Sequence, residues 1–160
     1  MRSVLPFLIV LLLGSSLSAA VGYIYKGDLN GDGKIDSLMS GPSEMFGNGG
    51  GPFLMSLSTP DGKYAQHVVG LHPMASALEK NGPHSRLWGY WHMSASDGGL
   101  SCITLDGQFK SESVTLYFNG GDDEPHELSR QIYDLVFSKE FRIKFDEIKN
   151  YTPPKYEWGK

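Results

Sequence analysis

The sequence predicts an α+β fold that is mostly β: antiparallel sheet hairpins followed by one C-terminal amphipathic helix. Three observations lead there. The 20 glycines and 9 prolines are spread along the 160 residues and cut the chain into short β-prone runs. Two pairs of those runs are joined by turn sequences, Thr59-Pro60-Asp61-Gly62 and the step Asp106-Gly107. Only one stretch, beginning near Pro125, carries apolar residues at helical spacing over several turns.

In chain order, the first segment reads as a secretory leader. Arg2 precedes an apolar run from Val4 to Leu13, and Ser18-Ala19-Ala20 is a small-residue cleavage site. Removal of residues 1–20 would leave a single domain over residues 21–160, secreted or periplasmic. The apolar run falls short of the roughly 20 residues that span a bilayer, so no stable membrane span is expected after cleavage. Residues 21–25 are β-prone, and residues 37–42 read as a short strand entering a turn. Residues 52–58 and 63–69 form the first predicted hairpin. Ala75-Ser76-Ala77-Leu78-Glu79 reads as a single helical turn, and residues 86–94 as a strand. Residues 100–105 and 109–118 form the second hairpin.

After Asn119-Gly120-Gly121 comes the helix. Pro125 suits its first turn, and Asp122, Asp123 and Glu124 suit the positive end of its dipole. Leu128, Ile132, Leu135 and Val136 fall on one face at i, i+4, i+7 and i+8. Phe141, Ile143 and Phe145 then alternate with Arg142, Lys144 and Asp146, the period of a late strand. The tail from Tyr151, with Pro153-Pro154, reads as extended.

A net charge of −4 argues against nucleic acid as a partner, because binding phosphates requires clustered Lys and Arg. Cys102 is the one cysteine, so an exported domain of this kind has no internal disulfide and relies on its core, a metal or both. Flanked by apolar residues in a predicted strand, Cys102 reads as a buried, inert thiol.

The strongest chemical signal is Asp28-Leu29-Asn30-Gly31-Asp32-Gly33-Lys34-Ile35-Asp36. Its side-chain oxygens fall at loop positions 1, 3, 5 and 9, with glycine at position 6, the spacing by which a short loop wraps a hard divalent cation. Asp28, Asn30, Asp32, the Lys34 backbone carbonyl and Asp36 are the expected calcium ligands, and Ile35 is the expected apolar peg into the core. The same residue types also dominate ordinary turns. The loop resembles the DxNxDGxxD calcium loops of EF-hands, dockerins and the FG-GAP or VCBS-type repeats. Position 12 is Met39, where an EF-hand carries a bidentate glutamate, and the flanks are β-prone. The resemblance is therefore to the FG-GAP type and implies a structural calcium ion with Asp36 as a ligand.

A second signal is Trp88-Gly89-Tyr90-Trp91-His92-Met93. In a strand, Trp88, Tyr90 and His92 share one face, which is either an aromatic platform for a carbohydrate or protein ligand or a surface covered by the helix. Five histidines, His67, His72, His84, His92 and His126, lack the spacing of a zinc site, and His126 reads as a surface residue. No catalytic constellation is visible. The expectation is an exported calcium-binding domain acting as a non-catalytic binding or interaction module. The alternative is a small secreted glycosidase-like hydrolase whose carboxylates are gathered by folding.

Overall fold

The computed structural model describes residues 20–82, 84–94, 97–106, 109–118 and 124–158. Residues 1–19 of the predicted leader, the Asp122 and Asp123 part of the helix cap, and Gly107 of the second hairpin turn lie outside them. Strands β1 (Val21–Gly27), β2 (Asp36–Ser40), β3 (Gly51–Ser58) and β4 (Tyr64–Leu71) form an antiparallel meander, and β9 (Asp146–Lys149) returns to pair with β1. Strands β5 (Ser76–Glu79), β6 (Arg86–His92), β7 (Asp97–Thr104) and β8 (Ser111–Tyr117) form a second antiparallel meander. Helix α1 (Glu124–Val136) lies against β8. The mostly β, α+β architecture and both hairpins are as the glycine-punctuated pattern predicts.

Strand alternation decides the layering. Leu38, Phe53, Met55 and Val69 of the first sheet share one buried cluster with Leu78, Leu87 and Ile103 of the second. Residues of opposite parity, including Trp88, Tyr90 and Leu100, belong to a second cluster with Tyr133, Val136 and Phe137. The second sheet is thus the middle layer, between the first sheet and α1. Each fully buried Leu, Phe or Met contributes roughly 1.5–3 kcal/mol of transfer free energy, which two sheets of this size need in place of a disulfide.

Three local expectations are corrected by tertiary packing. Residues 76–79 are strand β5, not a helical turn. Ser76, Ala77 and Leu78 are all buried, and β5 takes partners on both sides: Ala77 pairs with Trp88 of β6 and makes a bridge to Arg142. Alanine's helix preference is too weak to compete with that. Residues 141–145 are not the late strand. Phe141 packs in the helix-side cluster, whereas Ile143 and Phe145 pack between the sheets, so the alternation records a crossing between layers, and the strand itself starts at Asp146. On α1, Leu128 and Leu135 are 54% and 71% exposed. The buried face instead presents His126, Ser129, Ile132, Tyr133 and Val136, because the aromatic rings at 133 and 137 bury more area than the leucines.

Candidate functional site

The Asp28–Asp36 loop joins β1 to β2 and is closed by its own hydrogen bonds. The Gly31 and Gly33 N–H groups donate to the two oxygens of Asp28 at 2.6 and 3.0 Å. The Asp32 N–H donates to Asn30 Oδ1 at 3.2 Å, and the Lys34 N–H to Asp32 Oδ1 at 2.8 Å. Gly31 and Gly33 sit at φ +79° and +80°, in the left-handed region where a side chain is strained. The ammonium of Lys34 donates to the Thr59 carbonyl at 2.9 Å and forms no ion pair with the loop carboxylates.

Asp36 behaves differently from the others. It is 1% exposed, and its two oxygens accept the buried N–H groups of Leu29 and Ser58, both at 2.8 Å. It therefore ties the loop entrance to β3. With Asp36, Leu38 and Ser40 all facing inward, Ile35 is forced outward and is 67% exposed. The expected peg is instead Leu29, which is fully buried.

The donor set suits a hard cation in chemistry: carboxylate, carboxamide and carbonyl oxygens, each with lone pairs beyond the N–H bond it accepts. Among the described residues, no group of three or more His, Cys, Asp or Glu side chains is gathered closely enough to hold a metal ion. Asn30 and Asp32 line a cavity of about 310 Å³ together with Ser58, Thr59 and Asp106, and Ser58 Oγ donates to Asp32 Oδ2 at 3.2 Å. Asp106 was not singled out as a site residue by sequence reasoning. Its Thr104-x-Asp106-Gly107 turn echoes Thr59-x-Asp61-Gly62, but nothing local reveals that the second sheet carries it to the loop. Negative charge is felt beyond the loop: burial first, then Asp28 and Asp36, raises the Tyr25 phenol above its ordinary pKa.

The three aromatic-strand residues are on one face but not in one site. Trp88 lies half-buried in an open groove of about 510 Å³ with Cys102 and Arg86, its indole N–H donating to Glu79 at 3.3 Å. Tyr90 is covered by the helix layer, with ring contacts to Phe118, Tyr133 and Phe137. A side chain at Gly98 on the neighbouring strand would strike the Tyr90 ring. Tyr90 and His92 line a cleft of about 390 Å³ against α1, with Phe118 and Tyr133. Asp97, Arg130 and Asp134 form its charged rim, and sequence reasoning did not single them out, because they come from β7 and α1 with no motif linking them.

His126 is buried, not a surface residue, and neither ring nitrogen has a partner among the described residues. His72 is held below the ordinary histidine pKa by burial and then by His92. His67 stacks on Phe109 with centroids 4.9 Å apart. Cys102 is half-buried, and burial raises its thiol pKa despite Arg86, which keeps it in the unreactive thiol form.

No protein-family model matches the chain, and neither a curated protein nor a solved structure matches it.

Proposed function

We propose that the protein is an exported, calcium-stabilised, non-catalytic binding module. The observation that carries the calcium part is the Asp28–Asp36 loop. Three carboxylates lie within nine residues, and the single ammonium among them is turned away to a carbonyl. Among the described residues the ion pairs are Lys63–Asp61, Arg86–Glu79 and Lys110–Glu112, so the loop charges have no cationic partner. Asp28, Asn30, Asp32 and the Lys34 carbonyl would hold the ion, and Asp36 fixes the loop to β3. The β-flanked setting and the lack of a position-12 glutamate favour a permanent structural ion over a sensor that opens and closes.

Export rests on the Arg2 to Ala20 leader pattern. Among the described residues no helix is long and apolar enough to cross a membrane. Thermal melting with calcium and with excess chelator tests the reading. At 100 times its dissociation constant the ion adds about 2.7 kcal/mol, raising the midpoint by several degrees, and Asp32→Ala abolishes the difference. An unchanged midpoint in folded protein, with Asp32→Ala equally silent, removes the claim.

One observation favours the second reading, a small glycosidase-like hydrolase: Asp97 and Asp134 line the same cleft, as an acid and base pair must. Release of nitrophenol from a panel of aryl glycosides, lost in both Asp97→Asn and Asp134→Asn, would establish it over the binding module.

A further inference from the structure

The cleft between β6 and α1 has a composition that neither calcium nor a flat sugar-stacking platform accounts for. Tyr90, Phe118 and Tyr133 are mutually perpendicular, with interplanar angles of 77°, 84° and 90° and centroid separations of 5.9, 5.1 and 5.9 Å. All three line the one cavity. The three rings pack against one another edge to face and all border the cavity, so a cation held there lies beside aromatic surface, the setting of a cation–π contact.

The polar groups around those rings are short of partners. Among the described residues no hydrogen bond reaches the phenol of Tyr90 or Tyr133. Burial, then the neighbouring Tyr133, raises the Tyr90 phenol pKa, so the Tyr90 ring keeps its neutral, electron-rich form at ordinary pH. Among the described residues the Asp97 carboxylate accepts one hydrogen bond, from Ser94 Oγ at 3.0 Å. Arg130 and Asp134 lie one helical turn apart on α1 yet take part in no ion pair among the described residues. Charges of both signs are therefore presented to the cleft without cancelling each other.

We propose that this cleft binds a small zwitterion, with a substituted ammonium head against the aromatic rings and a carboxylate or phosphate arm on Arg130. Asp97 and Asp134 add negative potential around the ammonium. The volume of about 390 Å³ sits at the small end of ligand pockets, which suits a metabolite-sized molecule and not a protein surface. A simple cation leaves Arg130 unpaired, a simple anion faces two carboxylates, and a neutral sugar leaves all three charges unmatched. A zwitterion alone satisfies the whole set. The inference deepens the binding-module reading and is independent of calcium.

Calorimetric titration of the intact calcium-loaded protein tests it, with glycine betaine, phosphocholine, choline, acetate and a neutral disaccharide as probes. The zwitterions are expected to bind and choline to bind more weakly. Arg130→Ala, an exposed helix position, should cut zwitterion affinity by about fivefold and leave choline binding unchanged. Tyr133→Leu should abolish both, with circular dichroism confirming that the variant is folded. Zwitterion binding unaltered in Arg130→Ala overturns the proposal. Binding of the disaccharide without the zwitterions overturns it while leaving the binding-module reading in place, and silence from every probe counts against both.

Discussion

The Asp28–Asp36 loop and the cleft between β6 and α1 are built on opposite principles. The loop draws its oxygens from nine consecutive residues, and the hydrogen bonds that close it on itself join residues two to five apart. The cleft draws on β6, β7, the end of β8 and α1, joined by the β6–β7–β8 ladder, by the Tyr117 N–H donating to Ser129 Oγ at 3.1 Å and by packing of aromatic rings. The first kind of site is encoded as a motif and survives as long as its strands are joined. The second exists only after the helix has docked, and losing one ring removes it. One molecule thus sets a locally specified candidate site beside a globally specified one.

The largest effect separating them is expected from Phe137→Ala. This ring is 3% exposed and contacts both Tyr90 and Tyr133, and truncating a buried Phe costs about 3–5 kcal/mol. Urea unfolding should show that loss while the calcium-induced stabilisation is retained. A calcium response that disappears together with the ring would show that the two regions are coupled.

Next is Asp36→Ala, which strands the buried N–H groups of Leu29 and Ser58. Each unsatisfied donor costs about 1–3 kcal/mol, so a loss of about 2–6 kcal/mol is expected. Asp36→Asn should lose less, because its remaining carbonyl oxygen still accepts one of the two. Amide exchange should quicken at Leu29 and Ser58 and stay slow in β6 and β7.

A smaller effect concerns pH. His72 is half-buried near His92 and holds its pKa below the ordinary value, so the folded chain resists protonation there. Its contribution to stability is complete above the ordinary histidine pKa of about 6.5 and is lost as pH falls through the lower folded value. The slope of melting temperature between pH 7 and pH 5 should flatten in His72→Asn. The smallest effect is Leu135→Gln: at 71% exposure it should change stability by less than about 0.5 kcal/mol, although the helical period alone places it in the core.

The sheets were legible because glycine spacing and turn chemistry are local: Thr59-Pro60-Asp61-Gly62 closes β3 onto β4 wherever that hairpin sits in the fold. The loop was legible for the same reason. The helix was found, but its buried face was not, since Leu128 and Leu135 satisfy the periodicity as well as Tyr133 and Phe137 do, and only the shape of the opposing sheet chooses between them. Ile35 and Leu29 were exchanged because the inward direction of β2 is set by Asp36, a buried carboxylate that no hydrophobic pattern reports.

By itself, then, the sequence determined the antiparallel hairpins, the single helix and the oxygen-rich loop, all of which depend on backbone preferences and contacts within about ten residues. Tertiary structure alone decided which helix face is buried, that residues 76–79 are a strand, that Asp106 borders the loop cavity, and that Tyr90, Asp97, Arg130 and Asp134 meet in one cleft. Those outcomes depend on packing between layers, where side-chain volume and shape from distant parts of the chain outweigh any local preference.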